Sequence, residues 1–145
     1  MNFVGLDGIL VQFSDEIREN ANSAALAFRH EVEQKNQSSI IESANSLTAA
    51  YFRIDTKIAP ADSILNFFDE ILREKNWYTS KLPTNRKLFK IPCVFGTELA
   101  PQFEKVIKLA EISRSQAILE FTTKRTRVMT IGFSPGQPYA GLLSE

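Results

Sequence analysis

The chain has 145 residues, 43% of them hydrophobic and 23% charged, which is the usage of an ordinary globular protein. Its 17 basic and 17 acidic side chains cancel, leaving no net field to gather nucleic acid or an anionic membrane, so neither partner is expected. A single cysteine, Cys93, and a single histidine, His30, exclude an internal disulfide, a multi-cysteine zinc site and most nucleophile–base pairs, and no metal is expected.

In chain order, the start Met1-Asn2-Phe3-Val4-Gly5 lacks the basic residues and long apolar core of a secretion signal. No apolar run approaches the length of a membrane span, so the cytoplasm is the expected location. Phe3 to Phe13 predicts one or two short strands broken near Gly5–Gly8. Ser14 is placed to cap a helix, with Asp15 and Glu16 where the helix dipole favours anions. Ile17, Ala21, Ala24, Ala25, Phe28 and Val32 give that helix one apolar stripe as far as Gln34. Ile40–Ala44 and Leu47–Ile54 follow as strands.

Pro60 opens a second helix at a position that tolerates its missing N–H. Its buried face is Ile64, Leu65, Phe68, Ile71 and Leu72, with Phe67 at the margin and Trp77 and Tyr78 as a lid. Lys81–Lys90 is a polar turn or linker, and Leu88–Phe95 is the next strand. Pro101 starts a third helix through Phe103, Val106, Ile107 and Ala110. Ser113-Arg114-Ser115-Gln116 has the form of a capping box for a fourth, ending near Thr123. Arg127–Phe133 reads as a strand, and Gly132–Gly141 as a loop rich in glycine and proline. Up to residue 95 the order is strand, helix, strand, strand, helix, strand, which is the split βαβ, ferredoxin-like sequence of elements.

The segment Gly132-Phe133-Ser134-Pro135-Gly136-Gln137-Pro138-Tyr139-Ala140-Gly141 contains a literal G-x-S-x-G, the mark of a nucleophile elbow in α/β-hydrolases. Such an elbow uses the backbone N–H of the residue after the serine, and here that residue is Pro135, which has none. Pro138 also opposes a helix directly after Ser134. The segment is therefore expected to be a rigid loop whose glycines permit close approach and whose Phe133 and Tyr139 offer apolar faces. His30, between Arg29 and Glu31, is expected to be a solvated helix residue. Cys93, after Pro92 in an apolar strand, is expected to be a buried, inert thiol. Arg86, Lys87 and Lys90, and Lys124, Arg125 and Arg127, are expected to be solvated loop ends. No catalytic residue is identified from these patterns.

Three stretches together resemble the allophanate hydrolase subunit 1 family, which includes the B subunit of bacterial 5-oxoprolinase and the Kip-type inhibitors of sporulation kinases. They are Gly5 to Ile17, then Phe89-Lys90-Ile91-Pro92-Cys93-Val94-Phe95-Gly96, then Arg127 through Tyr139. The family patterns are an IP-x-x-(Y/F)-G strand and a later GF-x-PG-x-PY-x-G loop. Two departures stand out: Phe121 takes the place of a histidine common in relatives, and Gln137 the place of a commoner aromatic.

The resemblance implies an α+β fold in two parts: an N-terminal α+β domain over residues 1–82, and over 83–145 the incomplete start of a cyclophilin-like β-barrel, family members being longer. It implies a subunit of an ATP-dependent hydrolase that opens 5-oxo-L-proline to L-glutamate, acting with a C subunit and an A subunit on a small lactam or amide. No cofactor is expected on this chain, since it holds no P-loop pattern, and ATP is used by the complex. Gly132, Phe133, Pro135, Gly136, Gln137 and Tyr139 are the expected substrate- or interface-binding residues. Other branches imply two alternatives: a non-catalytic regulator of a sensor histidine kinase, or a subunit of an allophanate- or urea-type amidohydrolase–carboxylase.

Overall fold

In the computed structural model, residues 1–84 and 86–141 are described; Asn85 of the expected linker and residues 142–145 lie outside them. The chain divides into two units. The first holds residues 1–84 together with Met129–Tyr139, and the second holds Arg86–Val128 with Ala140 and Gly141.

The first unit is built on a four-stranded antiparallel sheet in the order β1-β2-β4-β3, from β1 (Asn2–Val4), β2 (Gly8–Gln12), β3 (Ile40–Ser46) and β4 (Ala49–Ile54). Alternation decides its buried face. Ile9 and Val11 of β2 and Ala50, Phe52 and Ile54 of β4 are buried, while Leu10, Tyr51 and Arg53 between them are only partly so. Two helices, α1 (Glu19–Gln34) and α2 (Ala61–Arg73), supply Ala24, Phe28, Val32, Ile64, Phe68 and Ile71 to the same core. Each fully buried large apolar side chain stabilises the fold by about 1.5–3 kcal/mol relative to exposure.

Phe28 is the hub of that core. Its ring meets Phe13, Phe52, Phe68 and Trp77 edge-on, at centroid separations of 5.8, 6.0, 5.9 and 5.3 Å. Trp77, in a short 3₁₀ turn after α2, closes the core as expected. It satisfies its indole N–H on Leu72 O at 3.1 Å. Tyr78 is half exposed and donates its hydroxyl to Phe13 O.

The run β2-α1-β3-β4-α2 follows the expected order of elements, but the last strand does not. Leu88–Phe95 makes no ladder and leaves Leu88, Phe89, Ile91 and Val94 exposed. The position beside β2 is already taken by β1, paired Asn2↔Leu10, Phe3↔Ile9 and Val4↔Gly8, so β2 has no free edge to offer. Gly8 is required at that hairpin: a Cβ there would lie 2.5 Å from Val4 O and 2.8 Å from the Tyr51 ring. Because the strand is missing, Cys93 is exposed, not buried as expected.

The start of α1 also differs. Ser14 Oγ accepts from Glu16 N at 3.0 Å, a local turn that competes with the helix, and α1 begins five residues after Ser14, at Glu19. Ile17 consequently lies outside the stripe and is exposed.

In the second unit, α3 (Phe103–Ala110) and α4 (Arg114–Thr123) gather around aromatic contacts of Phe95 with Phe103 at 5.3 Å and with Phe121 at 6.1 Å. Ser113 caps α4 as the sequence predicts, its Oγ accepting from Gln116 N at 3.2 Å. Arg114 pairs with Glu104 across the two helices.

Candidate functional site

β5 (Arg127–Ile131) and β6 (Pro138–Gly141) form a two-stranded hairpin, and the expected loop is its connection. The end of Gly132–Gly141, from Pro138 onward, is thus strand and not loop. Pro138 takes the first position of β6, where a missing ladder donor costs least.

The turn itself is tightly specified. Gln137 N donates to Ser134 O at 3.0 Å, with Pro135 and Gly136 between them, and Gly136 has φ of +79°. Proline at the second turn position followed by a left-handed glycine is the signature of a type II turn. A second bond from Gly132 N to Gln137 O, also 3.0 Å, closes the loop at its base. Phe133 sits between these bonds with φ of +62°, a conformation that L-residues adopt at a cost, and it is 97% exposed. An aromatic ring held in this way contributes nothing to this chain's core. Tyr139 is also exposed, at 41%.

Within the first unit, Met129 and Thr130 at the hairpin base are held by groups that no sequence motif marks. Asn22 on α1 is fully buried, and its Nδ2 donates to Met129 O at 3.0 Å and to Leu47 O at 2.5 Å. Thr130 Oγ1 donates to Asn45 O at 3.2 Å, and the Met129 side chain is buried. Asn45 is itself oriented by Arg29, whose guanidinium donates to Asn45 Oδ1 at 3.2 Å and to Glu33 Oε1 at 2.7 Å. Burial raises the Glu33 carboxyl, but hydrogen bonds from Ser43 and Arg29 outweigh it and hold the group below its ordinary pKa.

Gly132, Phe133, Pro135, Gly136, Gln137 and Tyr139 therefore share one turn and its flanks. They offer aromatic faces and backbone groups, and no acid or base stands among them. His30 and Cys93 lie on other elements, and both are exposed. Among the described residues, no group of three or more His, Cys, Asp or Glu could hold a metal ion, and no helix is long and apolar enough to cross a membrane.

A model of the carboxyltransferase domain, subdomain C and D, matches residues 1–145. The chain is 26% identical over 149 aligned residues to the 5-oxoprolinase B subunit of Bacillus subtilis (strain 168). That alignment covers 98% of this chain and 62% of the relative. Among solved structures it is similar to TTHA0988 in two crystal forms, with TM-scores of 0.65 and 0.67, identities of 20% and 19%, and coverage of 94% and 96% of this chain. In both cases it spans 25% of the longer protein, and the likeness is one of fold.

Proposed function

The chain belongs to the carboxyltransferase-domain family, subdomains C and D, within the allophanate hydrolase subunit 1 grouping, and from that premise we propose that it serves as one subunit of a 5-oxoprolinase-type hydrolase. In this reading an ATP-dependent complex with A and C subunits opens 5-oxo-L-proline to L-glutamate. ATP is handled by the partner subunits, because this chain has no phosphate-cradling glycine loop. Residues 1–82 act as the supporting α+β domain, in one compact unit with Met129–Tyr139, and the chain after residue 82 contributes the first strands of a cyclophilin-like barrel.

The observation that carries the reading is Phe133. A left-handed, 97% exposed aromatic on a doubly hydrogen-bonded turn is shaped for contact with something outside the chain. The hairpin's part is recognition. Phe133 and Tyr139 cover the ring of a lactam substrate or the surface of a neighbouring subunit. The Gln137 side-chain amide supplies a donor and an acceptor to a cyclic amide, and Pro135 and Gly136 keep the turn preorganised, which lowers the cost of binding. Proton transfer comes from residues of the partner subunits.

The test is reconstitution with A and C subunits and 5-oxo-L-proline. ATP-dependent glutamate formation above a control lacking this chain is the expected result. Formation equal to that control would sink the reading.

A further inference from the structure

The two edges of the four-stranded sheet differ in how they meet solvent. β3 is guarded. Its pairing with β4 shifts register between Ile40 and Glu42, the exposed Glu42 carboxylate stands on it, and Thr130 Oγ1 donates to the carbonyl of Asn45. Bulges and charges of this kind keep an edge strand from pairing with another chain. β1 has neither. Asn2, Phe3 and Val4 are uncharged, the strand runs in register along β2, and among the described residues no strand pairs with its outer side.

Hydrogen-bond alternation decides which groups β1 presents. Phe13 N donates to Thr48 O at 2.9 Å and Ile54 N to Asp7 O at 2.8 Å, at the two ends of the β2–β4 ladder. In that register Ile9 and Val11 turn their backbone groups to β4, and Gly8 and Leu10 turn theirs to β1. Asn2 and Val4, opposite Leu10 and Gly8, are thereby bonded inward. Phe3 between them directs both its N–H and its C=O away from the sheet. Its side chain shares a face with its cross-strand neighbour Ile9 and with Phe52 beyond, so an apolar row crosses the sheet and ends at a half-exposed ring.

We infer that β1 pairs antiparallel with β1 of a second copy, joining two four-stranded sheets into one of eight. A two-fold axis requires the central residue to face itself, and Phe3 is the β1 residue whose donor and acceptor both point outward. Phe3 of each copy exchanges two N–H···O bonds with its counterpart, Asn2 meets Val4, and the two rings become neighbours on the core face. A second copy thus supplies at once the donor, the acceptor and the apolar side chain that this edge lacks, and brings no like charges together along β1. Pairing of β1 with another copy's β3 would leave free edges and grow without limit, and the guarded β3 opposes it. Three residues a side make a small interface, so the association is weak and reversible. It uses no residue of the candidate turn and is independent of the oxoprolinase reading.

Sedimentation of the intact chain is followed from low to high protein concentration, with hydrogen exchange of the Phe3 amide measured by NMR over the same range. A reversible monomer–dimer equilibrium is expected, with Phe3 exchange slowing as dimer forms. Phe3→Pro removes an N–H that the chain's own sheet does not use. Folded by circular dichroism, this variant is expected to weaken dimerisation by about tenfold or more, the size of two lost hydrogen bonds. The exchange measurement needs no variant and decides alone if Phe3→Pro does not fold. A chain monomeric at every concentration, growth beyond the dimer, a dimer whose Phe3 amide stays fast, or an unchanged dimer in folded Phe3→Pro would overturn the proposal.

Discussion

Asn22 and Met129 are 107 positions apart, yet a fully buried amide on α1 donates at 3.0 Å to the carbonyl that precedes the candidate turn by three residues. The same nitrogen serves Leu47 O in the turn that follows β3. One side chain thus joins the first helix, the β3–β4 connection and the base of the hairpin.

Asn22→Ala would leave two carbonyls without this donor, each costing about 1–3 kcal/mol when buried. Urea denaturation is expected to show a drop in stability of that order. Hydrogen exchange is expected to quicken in Met129–Tyr139 more than in β2 or β4. Unchanged stability together with unchanged exchange at the hairpin would show that the amide does not hold it.

Phe28 meets four other rings within the core, so its truncation leaves a cavity that no single neighbour can fill. Phe28→Ala should cost about 3–5 kcal/mol, a large share of the stability of a chain this size. A melting temperature within a degree or two of wild type would mean that the helix face is wrongly assigned.

The Glu33 carboxyl is held below its ordinary pKa by Ser43 and Arg29, against the opposing effect of burial. A depressed carboxylate contributes stability that is fully present above its unfolded pKa and is lost as pH falls through the folded value. Wild-type protein should therefore lose stability across the acid side of the carboxylate range, and Glu33→Gln should lose less over the same interval. Parallel curves for the two proteins would refute the contribution.

Ser134 precedes a proline and lies exposed on the turn, so it has no oxyanion donor behind it. Ser134→Ala in the reconstituted complex should keep most of the activity, and covalent labelling of Ser134 by a fluorophosphonate probe would contradict this. Gly132 offers a contrasting case. A Cβ built there meets nothing within 4 Å, so Gly132→Ala should fold normally. A loss of complex activity in that folded variant would locate a partner or substrate against its Cα.

What could be read from the sequence was mostly local. Pro60 marked the start of one helix and Ser113 announced another through capping chemistry, and Phe28, Phe68 and Ile71 fell where helical spacing put them. Leu88–Phe95 carries a strand pattern, but a strand needs a partner edge, and β1 occupies the edge beside β2. The exposure of Cys93 follows from the same unmet pairing. Ser14 bonds locally to Glu16 and not into a helix, a choice between two short-range alternatives that composition does not settle. The turn residues were legible as a motif, whereas their anchor was not. Asn22 reads as a polar interruption of an apolar stripe until Met129 is brought beside it.

The central claim is that Phe133 is held out for a contact beyond this chain, and one comparison tests it most directly. Phe133 and Leu6 are almost equally exposed, at 97% and 96%, but only Phe133 belongs to the hairpin turn. Phe133→Ala and Leu6→Ala are each assembled with A and C subunits, and ATP-dependent glutamate formation from 5-oxo-L-proline is measured. The account predicts a drop of about tenfold or more for Phe133→Ala, as for loss of a buried aromatic anchor, and wild-type rates for Leu6→Ala. Equal rates for both variants and wild type would contradict it.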